Sequence, residues 1–280
     1  MTETYAGLSR AALEEFVDGY LEAVAANDPG RLRVSPDFRF TENGIARPLG
    51  AGMWRTARKR WPGGHSFAEP EAGQIEWWGV VEEIAGPSLV SLRLRVEEGL
   101  IAEAETLVVR PPSALRDPEG LLSPRPAYLE TVPESERPPR EEMVRIANLY
   151  FEAIEQDDGS VVPVPDHVGR IENGIQTTRN PEARMEAGKM GVTEQMDKGF
   201  TKHISAIRDR RFPVVDRERG LVIAHMFFDH HGNLEGGGGR IPLGYPTSMI
   251  ATELFKVRGG QIHNIEALIE FLPLGWQAGW

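Results

Sequence analysis

The sequence predicts an α+β protein made of two tandem copies of one small unit. Three observations predict it. Tyr20-Leu-Glu-Ala-Val-Ala-Ala-Asn-Asp28 is echoed 130 positions later by Tyr150-Phe-Glu-Ala-Ile-Glu-Gln-Asp-Asp158. At the same offset, Glu42-Asn-Gly-Ile45 is echoed by Glu172-Asn-Gly-Ile175. In both copies a segment of helical periodicity precedes segments of strand-like alternation. The division expected is a first unit over 1–110, a Pro-rich linker over 111–139, and a second unit over 140–280 carrying a Gly-rich lid loop at 230–246.

Leu13, Phe16, Val17, Tyr20, Leu21 and Val24 fall on one helical stripe, with Ser9 as N-cap and Asp28-Pro-Gly30 as a stop. Residues 34–45 read as a strand and a turn. Arg47–Trp54 is a Gly-rich bend leading into a basic segment, Arg55 to Arg60. Residues 74–84, 89–96 and 100–110 are successive strands, separated by Gly86-Pro87-Ser88 and Glu97-Glu98-Gly99 as hairpin turns. The eight prolines of 111–139 predict an ordered linker that wraps one unit onto the other. Met143, Ile146, Ala147, Tyr150 and Ile154 open the second unit on one helical face. Residues 182–199 are expected to be helical. Residues 212–216, 221–229, 248–258 and 261–271 read as strands, the last two joined by Gly259-Gly260.

The composition is that of a globular chain, with 40% hydrophobic and 26% charged residues over 280 positions. The formal net charge of −11 opposes binding to a nucleic-acid backbone or an anionic membrane. The chain has no cysteine, so disulfides, thiolate nucleophiles and cysteine metal sites are excluded. The N-terminal residues lack a basic segment followed by an apolar run, and no segment reaches the ~20 apolar residues of a membrane helix. A cytoplasmic location is expected.

The long first helix, the bent strand and the closing hairpin Glu253-Leu-Phe-Lys-Val-Arg-Gly-Gly-Gln-Ile-His-Asn-Ile-Glu266 together resemble the nuclear-transport-factor-2-like cone fold, in its SnoaL-like branch. Glu105-Thr-Leu-Val-Val-Arg110 looks like a first-unit counterpart of Glu253–Arg258, after which Pro111-Pro112 would leave the first sheet short of its last strand. The resemblance implies, for each unit, a curved antiparallel sheet wrapped around N-terminal helices, the two units forming a pseudo-dimer. It also implies a deep apolar pocket. Relatives of that kind include ketosteroid isomerases, scytalone dehydratase, polyketide cyclases, limonene epoxide hydrolase and a cofactor-free diarylpropane lyase that releases formaldehyde. Many others only bind partners, so fold alone does not fix function.

Signatures of nucleotide, phosphate and Gly-x-Ser-x-Gly chemistry are missing from the sequence. The candidates are therefore acid–base groups. His225 and Asp229 share one strand face with Ile223 and Phe227, as a pocket wall would, and His203 and Tyr245 add further proton carriers. Glu172 and Glu42, in the repeated Glu-Asn-Gly, are carboxylates that burial in an apolar pocket would tune. The competing reading has Asn-Gly, with Asn173 left-handed, making the turn while Glu pairs with an Arg. His225, Asp229, His230 and His231 could also form a metal site, but a polar strand end explains them better, and no metal is expected. Trp54, Trp61, Trp77 and Trp78 suit an aromatic ligand or a tryptophan-rich core equally well. His225, Glu172, Tyr245, Asp229 and His203 are thus the expected catalytic set, and Glu42, Trp54, Asn173 and Phe227 the expected substrate contacts.

These readings converge on a cofactor-independent lyase acting on a hydrophobic aromatic small molecule, for example a lignin-derived diarylpropane split into formaldehyde and a stilbene. A dehydratase, isomerase or cyclase on a polyketide- or steroid-like substrate is the alternative, and a non-catalytic binding protein is the other. No cofactor is expected, and a homo-oligomer remains compatible with the sequence.

Overall fold

A computed structural model describes residues 8–111, 113, 116–232 and 245–279. Helix α1 (Arg10–Ala26) buries Leu13, Val17, Tyr20, Leu21 and Val24 on one stripe; the Ser9 hydroxyl accepts from the Ala12 amide at 3.2 Å, and Asn27 ends the helix at φ 50°. The strands β1 (Val34–Glu42), β2 (Ile45–Ala46), β3 (Ala57–Arg60), β4 (His65–Glu69), β5 (Gln74–Glu83), β6 (Gly86–Glu97) and β7 (Leu100–Val109) follow. They form a sheet ordered β2-β1-β7-β6-β5-β3, with β4 also on β5. The short helix α2 (Pro126–Leu129) lies in the Pro-rich segment. Then come α3 (Arg140–Gln156), β8 (Arg170–Glu172), β9 (Ile175–Gln176), α4 (Glu186–Lys189), α5 (Val192–Asp197), β10 (Ala206–Asp216), β11 (Leu221–His230), β12 (Thr247–Arg258) and β13 (Gln261–Pro273). The second sheet runs β10-β11-β12-β13-β8-β9. The protein is thus α+β, two tandem sheets each packed on its own long helix. In each sheet the long strands pair antiparallel, and one strand joins in parallel, β1 to β7 and β8 to β13.

The Glu-Asn-Gly repeat fixes how the two sheets correspond. Asn43 lies at φ 49° and Asn173 at φ 50°, each followed by a glycine with positive φ. Asn43 donates from its backbone to Thr106 O at 2.9 Å, and its side-chain amide exchanges bonds with Val108. Asn173 does the same with Ala267 and Ile269. Thr106 therefore corresponds to Ala267, and β5, β6 and β7 correspond to β11, β12 and β13. This corrects the pairing expected from Glu105–Arg110 and Glu253–Arg258. The first sheet already has its last strand, and the counterpart of Glu253 is Leu92, each being the cross-strand neighbour of its sheet's marker residue. Alternating apolar residues recur in any strand, whereas the asparagine plug sets the register.

Three apolar cores stack in series. One lies between α1 and the first sheet, one between α3 and the second, and one between the outer faces of the two sheets. The central strand β11 is buried along its whole length because both its faces are covered. Val222, Ala224, Met226 and Phe228 face α3, while Leu221, Ile223 and Phe227 face the first sheet. The Pro-rich segment is pinned between the sheets: Tyr128 donates to Glu266 at 2.9 Å, and the Lys256 ammonium donates to Glu130 O and Arg219 O. The expected helix over 182–199 is instead two short helices. Met190 is extended between them, and Gly191 begins α5 at ψ 166°. Residues 86–88, expected as a turn, belong to β6. No described helix is long and apolar enough to cross a membrane.

Candidate functional site

Two buried polar clusters lie on opposite faces of the second sheet. On the outer face, His225 is held between two carboxylates of the first sheet. Its Nε2 is 2.8 Å from Glu76 Oε2 and its Nδ1 is 3.3 Å from Glu105 Oε2. Trp78, Ser91 and Thr252 all donate to the other Glu76 oxygen, at 2.7–2.8 Å. Arg93 and Arg211 hold Glu105. Burial opposes a charged imidazole, but the two carboxylates outweigh it and raise the His225 pKa. Burial likewise opposes charge on Glu76 and Glu105, yet the imidazolium and the surrounding donors hold both carboxyls below the usual range. The adjoining cavity, bordered by Ser91, Thr106, His225 and Thr252, is ≈ 20 Å³. That is room for about one water molecule, and the cavity shares Asp209, Arg211 and Ala278 with an open surface cleft of ≈ 570 Å³. This cluster is a charged clasp between the sheets.

The inner face of the second sheet carries the other cluster. Arg170 in β8 lies beneath α3, and its Nη1 donates to the Tyr150 hydroxyl at 3.0 Å. Its Nη2 donates to Gln195 of α5 at 3.0 Å, and its Nε pairs with Glu172 at 3.0 Å. Glu253 of β12 points to the same side, because β12 turns Met249, Ala251, Glu253 and Phe255 toward α3. Tyr150 bonds one Glu253 oxygen, and the other, Oε2, is buried with no partner among the described residues. Burial pushes the Glu253 carboxyl up to about 8; Arg170 pulls the other way, and Glu172 adds repulsion. Glu253 is therefore a neutral acid at neutral pH, in contact with a phenol and next to an Arg–carboxylate pair. Further along the same face, His230 and His203 stand with ring centres 5.3 Å apart.

The first unit has no such cluster at the corresponding positions. Phe40 stands where the second unit has Arg170, and Leu92 where it has Glu253. Tyr20 is bonded instead by the indole of fully buried Trp54, at 3.2 Å. Its interior is filled with apolar side chains.

The residues singled out from the sequence divide between these places. His225, Asp229 and Phe227 lie on the outer face. Asp229 accepts from Arg208 at 2.7 Å and Ser248 at 2.6 Å, and Arg208 lies 4.5 Å over the Phe227 ring. Glu172 and His203 lie on the inner face, so β11 and the sheet it belongs to separate them from His225 and Asp229. Glu42 accepts the Met53 amide at 2.6 Å and pairs with Arg110 at 3.1 Å, and Asn173 is the backbone plug. Trp54 packs the first core. Tyr245 is 62% exposed, and residues 233–244 of the expected lid lie outside the described residues. Among the described residues, no group of three His, Asp or Glu side chains could hold a metal ion. The sequence reading passed over Glu253, Tyr150, Arg170 and Gln195. A single Glu within an apolar period-2 stripe, Met249 to Val257, is the signal that marks Glu253.

The sequence pattern of a family described as "Domain of unknown function (DUF8021)" matches residues 136–269. No curated protein matches the chain. Among solved structures, the chain is similar to a protein provisionally assigned as a polyketide cyclase from Xanthomonas campestris (17% identity, 46% of this chain and 90% of that one, TM-score 0.31). It is also similar to an NTF2-like protein from Burkholderia xenovorans (13%, 46% and 90%, TM-score 0.31) and to AusH from Aspergillus nidulans (10%, 48% and 86%, TM-score 0.32).

Proposed function

We propose that the second unit is a proton-transfer enzyme acting on a hydrophobic small molecule inside its inner face, with the first unit as a filled scaffold. The observation that carries this reading is Glu253: a fully buried carboxyl with its pKa raised to about 8, one oxygen unpartnered among the described residues and the other on Tyr150. A carboxyl kept neutral at working pH suits a general acid, and its pKa lies where it can also take a proton back. Tyr150 supplies a second hydroxyl, raised well above the usual tyrosine range by burial. Arg170 fixes the Tyr150 oxygen and orients Glu172, the candidate base, at the more open side, Glu172 being 20% exposed.

These roles suit the lyase, dehydratase and isomerase classes, whose common need is an acid and a base across an apolar substrate. For a phenolic 1,2-diaryl-1,3-propanediol, Glu253 protonates the departing benzylic hydroxyl, which leaves as water. A base takes the phenolic proton, giving a quinone methide. Loss of the terminal hydroxyl proton then breaks the carbon–carbon bond. Formaldehyde departs, and the bond's electron pair forms the stilbene double bond and restores the phenol oxygen.

The test is stilbene absorbance with trapped formaldehyde on this diol, in wild type and Glu253→Gln. Equal yields of both products are expected, with a loss of roughly 10²–10⁴-fold in the variant. Turnover unchanged in Glu253→Gln would remove Glu253 from the mechanism. No turnover but ligand-dependent thermal stabilisation would favour the binding-protein reading.

A further inference from the structure

The two inner-face histidines have their tautomers set by the backbone. The Gly232 amide donates to His230 Nδ1 at 3.0 Å, so Nδ1 is an acceptor and the proton of the neutral ring is on Nε2. His203 Nδ1 lies 2.8 Å from the carbonyl oxygen of Phe200, which can only accept, so Nδ1 carries the proton and Nε2 the lone pair. Burial lowers the His203 pKa to about 4, and the ring is neutral. The two rings thus offer one free N–H and one free lone pair, with centroids 5.3 Å apart. His230 is fully buried, yet its Nε2 has no partner among the described residues. Thr247, the cross-strand neighbour of His230, is 2% exposed, and its hydroxyl is likewise unpartnered among them. A buried N–H without a partner is costly, so this donor is poised for an acceptor, a water or a ligand oxygen. Met226 and Phe228 precede His230 on the same face of β11, and Phe228 pairs with Met249 of β12, so an apolar face runs on from His230 and Thr247.

We infer that His203 and His230 form a hydroxyl-recognition subsite: a ligand alcohol accepts from His230 Nε2 and donates to His203 Nε2, with Thr247 beside it, while its apolar frame lies along Met226, Phe228 and Met249. A hydroxyl is the smallest group that satisfies a donor and an acceptor at once. A carbonyl or ether satisfies only His230, and a charged group finds no counter-charge on either ring. This inference rests on the reading of the inner face as a ligand site, and it assigns the class of ligand as a hydrophobic alcohol.

The experiment uses full-length protein with ¹⁵N-labelled histidine and three matched probes: benzyl alcohol, benzyl methyl ether and toluene. Without probe, the ring nitrogens should report Nε2–H for His230 and Nδ1–H for His203. Benzyl alcohol should shift Nε2 of both rings, the ether only that of His230, and toluene neither. The alcohol should bind roughly tenfold tighter than the ether, as one added hydrogen bond allows, and His203→Phe should reduce that preference to under twofold. The wild-type ring shifts carry the test even if the variant folds poorly. Equal affinity for alcohol and ether, or the opposite tautomers, would overturn the subsite. If probes bind with a Glu253→Gln-sensitive affinity but leave both histidines unmoved, the subsite fails and the proposed function stands. Silence at the histidines with no effect of Glu253→Gln overturns both.

Discussion

Glu253 binds a proton in the folded chain up to about pH 8, whereas in the unfolded chain it loses it near 4.5. Between those values folding takes up a proton, so this residue makes stability fall as pH rises, by at most about 1.4 kcal/mol per pH unit. Urea midpoints measured from pH 5 to 8.5 should fall less steeply with pH in Glu253→Gln than in wild type; an equal slope would contradict the buried neutral acid. His225 behaves in the opposite structural sense, as a charged link. Its raised pKa contributes stability that is complete below the unfolded histidine value and is lost as pH rises through the folded one. Glu76 and Glu105, both depressed, contribute stability that is lost in acid. His225→Leu leaves both carboxylates buried without their imidazolium and should cost about 3–5 kcal/mol, read as a fall in urea midpoint, without removing the inner-face cluster. The sequence showed His225 as a polar residue in an apolar strand, but its partners Glu76 and Glu105 lie 149 and 120 positions away. No local pattern links them, so whether it lined a pocket or joined two sheets could not be read from the chain.

At the scale of elements, the parts set by local physics were legible. The stripes of α1 and α3, the long strands and the Glu-Asn-Gly turns all follow from period, capping and positive φ. Each asparagine in those turns saves two sheet hydrogen bonds while holding φ near 50°. Asn43→Ala and Asn173→Ala should each cost about 2–4 kcal/mol by chemical denaturation, from the lost bonds and the left-handed strain together. A cost under ~0.5 kcal/mol would mean the plug does not hold the register. The strand equivalence was not legible, since Glu105–Arg110 and Glu253–Arg258 share Glu, Val and Arg at matching places although they lie on strands that do not correspond. The broken helix over 182–199 was missed for a related reason: α5 is placed by Gln195 reaching Arg170 and by Met196 entering the core, both tertiary contacts.

The whole molecule joins two sheets by their outer faces, so each unit covers the surface that the other would expose. Phe67, Trp78, Leu107, Ile223, Phe227, Leu254 and Leu268 meet there, and Arg10–Asp216 and Arg140–Glu69 clamp the rim. A fragment of residues 136–280 would bare this apolar face. It should self-associate in sedimentation analysis, whereas the full chain should run as a single chain. A monomeric, stable fragment would show that the interface contributes little. The repeat announced two units in the sequence, but not the asymmetry between them: the inside of one filled by Trp54, Phe40 and Leu92, and the inside of the other lined by Arg170, Glu172 and Glu253. Phe40 against Arg170 and Leu92 against Glu253 are single differences at matched strand positions, visible only once the register is known.

The most direct test is a ¹³C NMR titration of the glutamate side chains, with Glu253 assigned by its loss in Glu253→Gln. The proposed chemistry predicts a Glu253 carboxyl that titrates near 8 and moves on adding an aromatic alcohol. A Glu253 that titrates near 4.5 and ignores the alcohol would contradict an acid–base site inside the second unit.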